Sequence, residues 1–202
     1  MRRRDFLLTA VAAALAPRRA AALGADLAQR LRGGGFNIYF RHSLTMRAGQ
    51  PDDDIMSCAG QRNLTEAGVA LAREIGRGFR ALRIPVGDVL SSPYCRCVDT
   101  ARWAFGRVAV AEWLETDGNP QGAAERARLL RLKAALVSPP PAGVNIAFVA
   151  HGNNLMGLAQ VHGWPRLPIE EAEAAIFQPA GNGIPAVVAL VKAAEWNAIG
   201  AG

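Results

Sequence analysis

Four short apolar runs alternate with helical patterns along most of this chain, and that alternation restricts the fold more than any other feature. The runs cover residues 36–40, 86–90, 108–111 and 145–150. Strands that alternate with helices need crossover connections, which are right-handed and leave the strands mainly parallel in one sheet. Two later runs, 174–178 and 186–191, are joined by the turn Gly181-Asn182-Gly183 and read as an antiparallel edge. The expected fold class is α/β, a three-layer sandwich with a mainly parallel central sheet, helices on both faces and an antiparallel edge.

The helical segments carry recognisable ends. A short helix over 26–31 is terminated by Gly33-Gly34-Gly35. Asn63 and Thr65 are good helix-start residues, and Leu71, Ile75, Phe79 and Leu82 beyond them mark one apolar face. Further helices are expected over 94–105 and 125–137, the second stopped by Pro139-Pro140-Pro141, and another follows the fourth strand. No internal repeat or linker interrupts this pattern. With 202 residues, half of them hydrophobic, one domain with a real core is expected.

The first 25 residues are different. Arg2-Arg3-Arg4 precedes Asp5-Phe6-Leu7-Leu8, then an Ala/Leu/Val-rich run, then Pro17-Arg18-Arg19 and small residues. This is the layout of a secretory signal, and Arg3-Arg4-Asp5-Phe6-Leu7 is similar to a twin-arginine signal. Ala20-Ala21-Ala22 offers a small-x-small site with cleavage after Ala22. The expected organisation is therefore a signal peptide over 1–22 and a single catalytic domain over 23–202, in the periplasm or secreted. An amphipathic helix or anchor is the competing reading of the same stretch. Cleavage removes five arginines and one aspartate and lowers the formal charge from +6 to +2. The remainder has no basic block interleaved with aromatics, so nucleic-acid binding is unsupported. Nor does it hold a charge-free apolar run near the roughly 18 residues of a spanning helix, so no stable membrane span is expected after cleavage.

Three cysteines, Cys58, Cys95 and Cys97, have no metal-ligand spacing. In an oxidising compartment Cys58 can pair with Cys95 or with Cys97, against the alternative of three reduced thiols.

The strand ends carry the chemistry. In open α/β sheets, ligands sit outside the carboxyl ends of the strands. The first strand finishes on Arg41-His42, the second leads to Arg96, the third leads to a loop with Glu112, Glu115 and Asp117, and the fourth finishes on His151-Gly152. An Arg-His pair alone is weak, but four parallel strand ends converging on one rim are not. Guanidinium forks bind the non-bridging oxygens of a phosphoryl group in pairs. A neutral imidazole can attack phosphorus and divide one hard step into two. Neighbouring guanidinium groups disfavour a second positive charge and so keep that imidazole neutral. The leaving alkoxide needs a proton from a carboxylic acid. This chemistry requires neither a metal nor another cofactor.

The chain resembles the histidine phosphatase superfamily, in particular the branch that includes the cofactor-dependent phosphoglycerate mutases and small bacterial phosphatases. The resemblance runs from roughly Phe36 to Trp196. It rests on Tyr39-Phe40-Arg41-His42, on 62–68 (Arg62-Asn63-Leu64-Thr65-Glu66-Ala67-Gly68), on 90–96 ending in Tyr94-Cys95-Arg96 with Thr100-Ala101, and on Val149-Ala150-His151-Gly152. It implies that His42 is the nucleophile and that Arg41, Arg96 and His151 bind the phosphoryl group. It places the general acid in a Leu-x-Glu setting after the third strand, nearest matched by Trp113-Leu114-Glu115. Glu115 is therefore the expected acid, with Glu112 and Asp117 as competitors.

Two departures stand out. Ser43 occupies the position after the Arg-His pair where the family commonly has glycine, and its hydroxyl is either tolerated or reaches substrate. The family's glycine-tryptophan-glutamate-glycine pattern after the acid is missing, which counts against mutase-like placement of substrate. Of the remaining polar residues, His162 reads as a surface or loop histidine, and Arg62 as one half of a structural salt bridge in preference to a bridge to the active-site loop. Asn153 and Asn154 either touch substrate or cap the helix after strand four. Ser91 and Ser92 lack the surroundings of a serine nucleophile. The expected function is an exported, metal-independent phosphatase acting on small phosphomonoesters, with an envelope sugar phosphate as a sensible partner. The alternatives are a non-catalytic phospho-ligand-binding envelope protein and a mutase-like phosphotransferase.

Overall fold

The computed structural model describes residues 15–46, 57–181 and 183–198. Residues 1–14 of the expected signal peptide, the Pro51-Asp52-Asp53-Asp54 loop and Asn182 of the expected turn lie outside the described residues. The elements run α1 (Leu15–Arg32), β1 (Asn37–Arg41), α2 (Glu66–Ala81), β2 (Val86–Ser91), α3 (Cys95–Phe105), β3 (Ala109–Val110), α4 (Ala123–Val137), β4 (Asn145–Ala150), α5 (Gly152–His162), β5 (Glu173–Gln178), β6 (Ala186–Lys192) and α6 (Glu195–Ala198). Single 3-10 turns occupy Cys58–Gly60 and Glu112–Leu114.

One six-stranded sheet has the order β3-β2-β4-β1-β5-β6. β1 to β4 are mutually parallel, whereas β5 pairs antiparallel with both β1 and β6. The central strands read as continuous apolar runs because both of their faces are covered. Alternation sorts their side chains between two cores. Ile38, Phe40, Ala147, Val149, Ala174 and Ile176 face α1, α2, α3 and α6. Tyr39, Phe148, Ala150, Ala175 and Phe177 face α4 and α5. The result is the expected three-layer sandwich with its antiparallel edge.

Sequence chemistry explains how the elements seat. Thr65 caps α2, accepting the Gly68 N–H on its hydroxyl at 3.0 Å, a bond of the kind that stabilises a helix by about 1 kcal/mol. Leu71, Ile75, Phe79 and Leu82 do form the inner face of α2, with Ile75, Phe79 and Leu82 in the core and Leu71 packed at its edge. Gly78 admits the fully buried Trp196 of α6, since a Cβ there would stand 2.5 Å from the tryptophan Cβ. At the opposite end of the sheet from the strand carboxyl ends, Asn37 donates through Nδ2 to the carbonyl oxygens of Ala135, Leu136 and Ser138, and so satisfies the end of α4.

α1 is longer than the helix expected over 26–31. Its continuous span passes through Ala22, but the buried side chains described for it, Leu27, Ala28 and Leu31, all follow that residue. A chain cut after Ala22 keeps those core contacts. Among the described residues, no helix is long and apolar enough to cross a membrane.

Candidate active site

The carboxyl ends of β1 and β4 lie side by side, because Arg41 pairs with Ala150 in the parallel ladder. The next residue on each strand is a histidine. The His42 N–H donates to the Ala150 carbonyl oxygen at 2.9 Å, and the His42 and His151 rings meet edge to face with centroids 5.6 Å apart. Around them opens a cleft of about 740 Å³ lined by Arg41, His42, Arg62, Arg96 and His151 at one pole. Tyr94, Thr116, Asp117, Asn153, Met156 and Glu170 are among the residues of its rim.

His42 is 2 % exposed, and its Nδ1 lies 2.9 Å from the Ser43 carbonyl oxygen. A carbonyl only accepts, so Nδ1 carries the hydrogen and Nε2 keeps the lone pair. Burial pushes the imidazole down to about 3; the charges of Arg96, Arg41 and Arg62 add to this, and the bond to Ser43 opposes it. The ring is therefore neutral and carries its lone pair on Nε2 across the ordinary pH range.

His151 is fixed from all sides. Arg96 Nη2 lies 3.4 Å from its Nδ1, and Ser92 Oγ lies 2.9 Å from its Nε2. A guanidinium only donates, so Nδ1 accepts and Nε2–H donates to Ser92. The backbone is held as well: the His151 N–H donates to Asn154 Oδ1 at 3.1 Å, and the buried Tyr39 hydroxyl donates to the His151 carbonyl oxygen at 2.8 Å. Burial first, then the charge of Arg96, pushes the His151 pKa well below its usual value. Tyr94 completes this wall. Its ring packs edge to face on His151 with centroids 5.0 Å apart and lies 4.3 Å from the Arg96 guanidinium carbon.

Arg41 is positioned from the segment that leads into β5. It donates through Nη1 to the Ile169 carbonyl oxygen at 3.1 Å, and its Nη2 is 3.7 Å from Glu171 Oε1. That segment is pinned by Ala172, whose N–H donates to the His42 carbonyl oxygen at 3.0 Å from a left-handed conformation with φ of 62°.

The structure thus gathers Arg41, His42, Arg96 and His151 at one pole, and it adds Arg62, whose preferred reading in the sequence is a structural salt bridge. Glu115 does not line this cleft. It lies with Glu112, Trp113, Arg128 and Arg131 in a separate groove beside the β3 edge. The cause is Leu114, which is fully buried between the sheet and α4 and turns the next residue, in extended backbone, away. Asp117 is the one member of the three-carboxylate set that reaches the rim. Glu125 and Arg128 of α4 hold its loop: Glu125 accepts from the Thr116 hydroxyl at 2.7 Å, and Arg128 bridges Glu125 and Asp117 at 2.9 and 3.0 Å. Nothing in the sequence marks Glu125 as more than a helix-start residue.

The open side chains resolve as follows. The Ser43 hydroxyl is buried and donates to the Gly68 carbonyl oxygen at 2.7 Å, so it braces α2 and does not reach substrate. Asn154 is a capping and bracing residue, with Nδ2 donating to the Glu115 carbonyl oxygen at 3.2 Å, whereas Asn153 lines the cleft. His162 ends α5, away from the cleft. The structure pairs Cys58 with Cys95 and leaves Cys97 buried as a free thiol. Among the described residues, no group of His, Cys, Asp and Glu is arranged to hold a metal ion.

No family model and no curated protein sequence matches the chain. Solved structures do. The protein histidine phosphatase SixA, complexed with tungstate, superposes with a TM-score of 0.56 at 15% identity, over 79% of this chain and 98% of that one. The alpha-ribazole phosphatase from Shigella flexneri matches with a TM-score of 0.52 at 16% identity, over 75% and 94%. A mutant phosphoserine phosphatase from Entamoeba histolytica, in complex with phosphoserine, matches with a TM-score of 0.51 at 16% identity, over 78% and 97%. With these structures sharing its sheet and layers, and with two histidines at the ends of its paired central strands, the chain has the histidine phosphatase fold.

Proposed function

We propose that this protein is an exported phosphatase that hydrolyses small phosphomonoesters through a phosphohistidine on His42. The observation that carries the reading is a buried, neutral imidazole whose Nδ1–H is held by Ser43, set among three guanidinium groups. In the first step Nε2 attacks phosphorus and the bond to the ester oxygen breaks. Arg41, Arg62 and Arg96 hold the non-bridging oxygens as charge builds on them, and His151 supports that grip by holding the Arg96 guanidinium through Nδ1. The leaving alkoxide takes its proton from a carboxylic acid, and we assign that role to Asp117, because it lines the cleft and Glu112 and Glu115 do not. In the second step water attacks the phosphohistidine, gives its proton back to that carboxylate, and releases orthophosphate and the neutral imidazole.

Export is supported by the twin-arginine-like leader and by the Cys58–Cys95 disulfide, which suits an oxidising compartment. An envelope sugar phosphate fits a rim that offers Thr116, Asp117, Asn153 and Glu170 as polar groups beyond the phosphate pole.

The test is turnover of an aryl phosphate by residues 23–202 in the presence of a chelator, beside His42→Ala. Metal-independent hydrolysis that is lost in the variant is expected, together with labelled phosphate trapped on His42. Hydrolysis that persists in His42→Ala would sink the phosphohistidine mechanism. A requirement for a phosphorylated primer would favour the mutase reading.

A further inference from the structure

A second concentration of guanidinium groups stands at the amino ends of β2 and β4, the end of the sheet away from His42. A hollow of about 290 Å³ opens there between the end of α2, the end of α3 and the start of β2. Phe79, Ile84 and Phe105 give it an apolar floor, and Arg80, Arg83 and Arg107 stand round it. No carboxylate among the described residues lines it. We propose that this hollow is a binding site for an amphipathic anion, a carboxylate or phosphate carried on a small apolar body. Such a site stands apart from the phosphatase chemistry, and neither depends on the other.

The charges are gathered here without being neutralised. Arg107 is fixed by donating to the carbonyl oxygens of Val86 and Gly87. Arg32 of α1 donates to the Leu82 carbonyl oxygen at 2.9 Å, which brings a fourth positive charge to the same helix end. The guanidinium groups of Arg80 and Arg83 have no hydrogen-bond or ion-pair partner among the described residues. The macrodipole of α2 favours a cation in its last turn and accounts for Arg80, but Arg107 comes from the segment after α3. Arg83 is placed at a conformational cost. It follows the C-cap Leu82 in a left-handed conformation with φ of 54°, where glycine would sit without strain. Like charges gathered in this way repel one another, and an anion among them removes the repulsion and gains paired hydrogen bonds from the guanidinium forks. The floor selects what carries the charge, because an apolar body laid on Phe79, Ile84 and Phe105 leaves water.

The experiment titrates the protein with a naphthoate and with the corresponding neutral naphthamide, reading Kd by calorimetry, beside Arg80→Gln/Arg83→Gln. The naphthoate is expected to bind at least about tenfold more tightly than the naphthamide. The double variant should lose about tenfold in naphthoate affinity and keep its turnover of an aryl phosphate. The same loss is expected in an Arg96→Ala background, where the cleft around His42 is itself impaired. Arg83→Gly relieves the left-handed backbone, so it should weaken binding while keeping or raising the melting temperature, which separates lost affinity from lost folding. Vesicles identify the source of the anion. Co-sedimentation with phosphatidylglycerol but not phosphatidylcholine, lost in the double variant, assigns the site to a membrane lipid; naphthoate binding without co-sedimentation assigns it to a soluble anion. Equal affinity for naphthoate and naphthamide, equal naphthoate affinity of the wild type and the double variant, or no naphthoate binding up to about 10 mM would each overturn the site.

Discussion

His42 and His151 extend one register step of the parallel ladder, each following the paired residues Arg41 and Ala150 on neighbouring central strands. Their rings meet edge to face at 5.6 Å, both buried, the His42 ring held by the Ser43 carbonyl oxygen and the His151 ring by Ser92 and Arg96. The roles divide along those bonds. His42 has its Nδ1–H tied down and its lone pair on Nε2, whereas His151 has both nitrogens engaged. Replacing His42 by alanine is expected to lower turnover by at least about a thousandfold while orthophosphate still binds, since the charged residues around it remain. Steady-state kinetics and calorimetry on the same variant check both halves.

Ser92 sets which nitrogen of His151 carries the hydrogen. Its Oγ accepts from Nε2 and leaves Nδ1 facing Arg96. Ser92→Ala removes that acceptor from a buried site, where leaving a donor unsatisfied costs roughly 1–3 kcal/mol. The expected outcome is a fall of about tenfold in kcat/KM with a modest loss of stability. Unchanged kcat/KM in a folded Ser92→Ala protein would remove Ser92 from the site's machinery.

The depressed histidines make the fold acid-sensitive in a defined window. The ordinary value for His42 is 6.5 and its folded value is about 3, so between these limits the unfolded chain binds more protons than the folded one. Stability is complete above about pH 6.5 and falls as pH drops toward 3, with His42 alone costing about 2 kcal/mol at pH 5. Urea denaturation at about pH 7 and about pH 5 should show a larger loss in the wild type than in His42→Ala. Parallel losses would contradict the burial of a neutral His42.

Proton donation separates Asp117 from Glu115. An alkyl leaving group needs an acid far more than an aryl one does. Asp117→Asn should therefore slow an alkyl phosphate by about 10²–10⁴-fold and an aryl phosphate much less, whereas Glu115→Gln should leave both rates nearly unchanged. The reverse pattern would return the role to Glu115.

Gly68 lies where α2 passes against the chain leaving β1. A Cβ there would overlap the Leu44 carbonyl oxygen, and the Gly68 carbonyl oxygen is the acceptor for Ser43. Gly68→Ala is expected to destabilise the protein by about 1–3 kcal/mol, read as a lower melting temperature. A change within error would mean that the contact gives way easily.

What the sequence makes legible and what it hides follow from range of interaction. β4 begins and ends where its apolar run does, because a central parallel strand covered on both faces needs apolar residues throughout. The start of α2 is equally plain, since Thr65 caps it through a bond only three residues long. The pole of the site is readable because parallel strands deliver their ends to one side. The misplacements sit where tertiary packing decides direction. Glu115 and Asp117 are two residues apart, and Leu114 in the core and Arg128 on α4 determine which of them faces the cleft. Arg62 reads chiefly as a structural charge in the sequence, and long-range contacts of its segment, among them the Cys58–Cys95 cross-link, the bond from Cys95 N–H to Gln61 and the pairing of Leu64 with Thr45, bring it to the cleft. The length of α1 is hidden because a signal-like composition obscures the helical pattern before Asp26.

The cleft draws its walls from both sides of the sheet, and this has a consequence for how such a protein can change its diet. Tyr94 and Arg96 come from the start of α3 on one face, whereas Asn153 and Met156 come from α5 on the other. Thr116, Asp117 and Glu170 belong to connecting segments rather than to strands. On the phosphatase reading, what every phosphate ester has in common is met by the strand ends together with Arg62 and Arg96, and what distinguishes one ester from another is met by α5 and two loops. On that reading, substitutions at Thr116, Asn153, Met156 and Glu170 would retune preference in small steps while the cationic end and Asp117 stay intact, so that turnover survives as preference shifts.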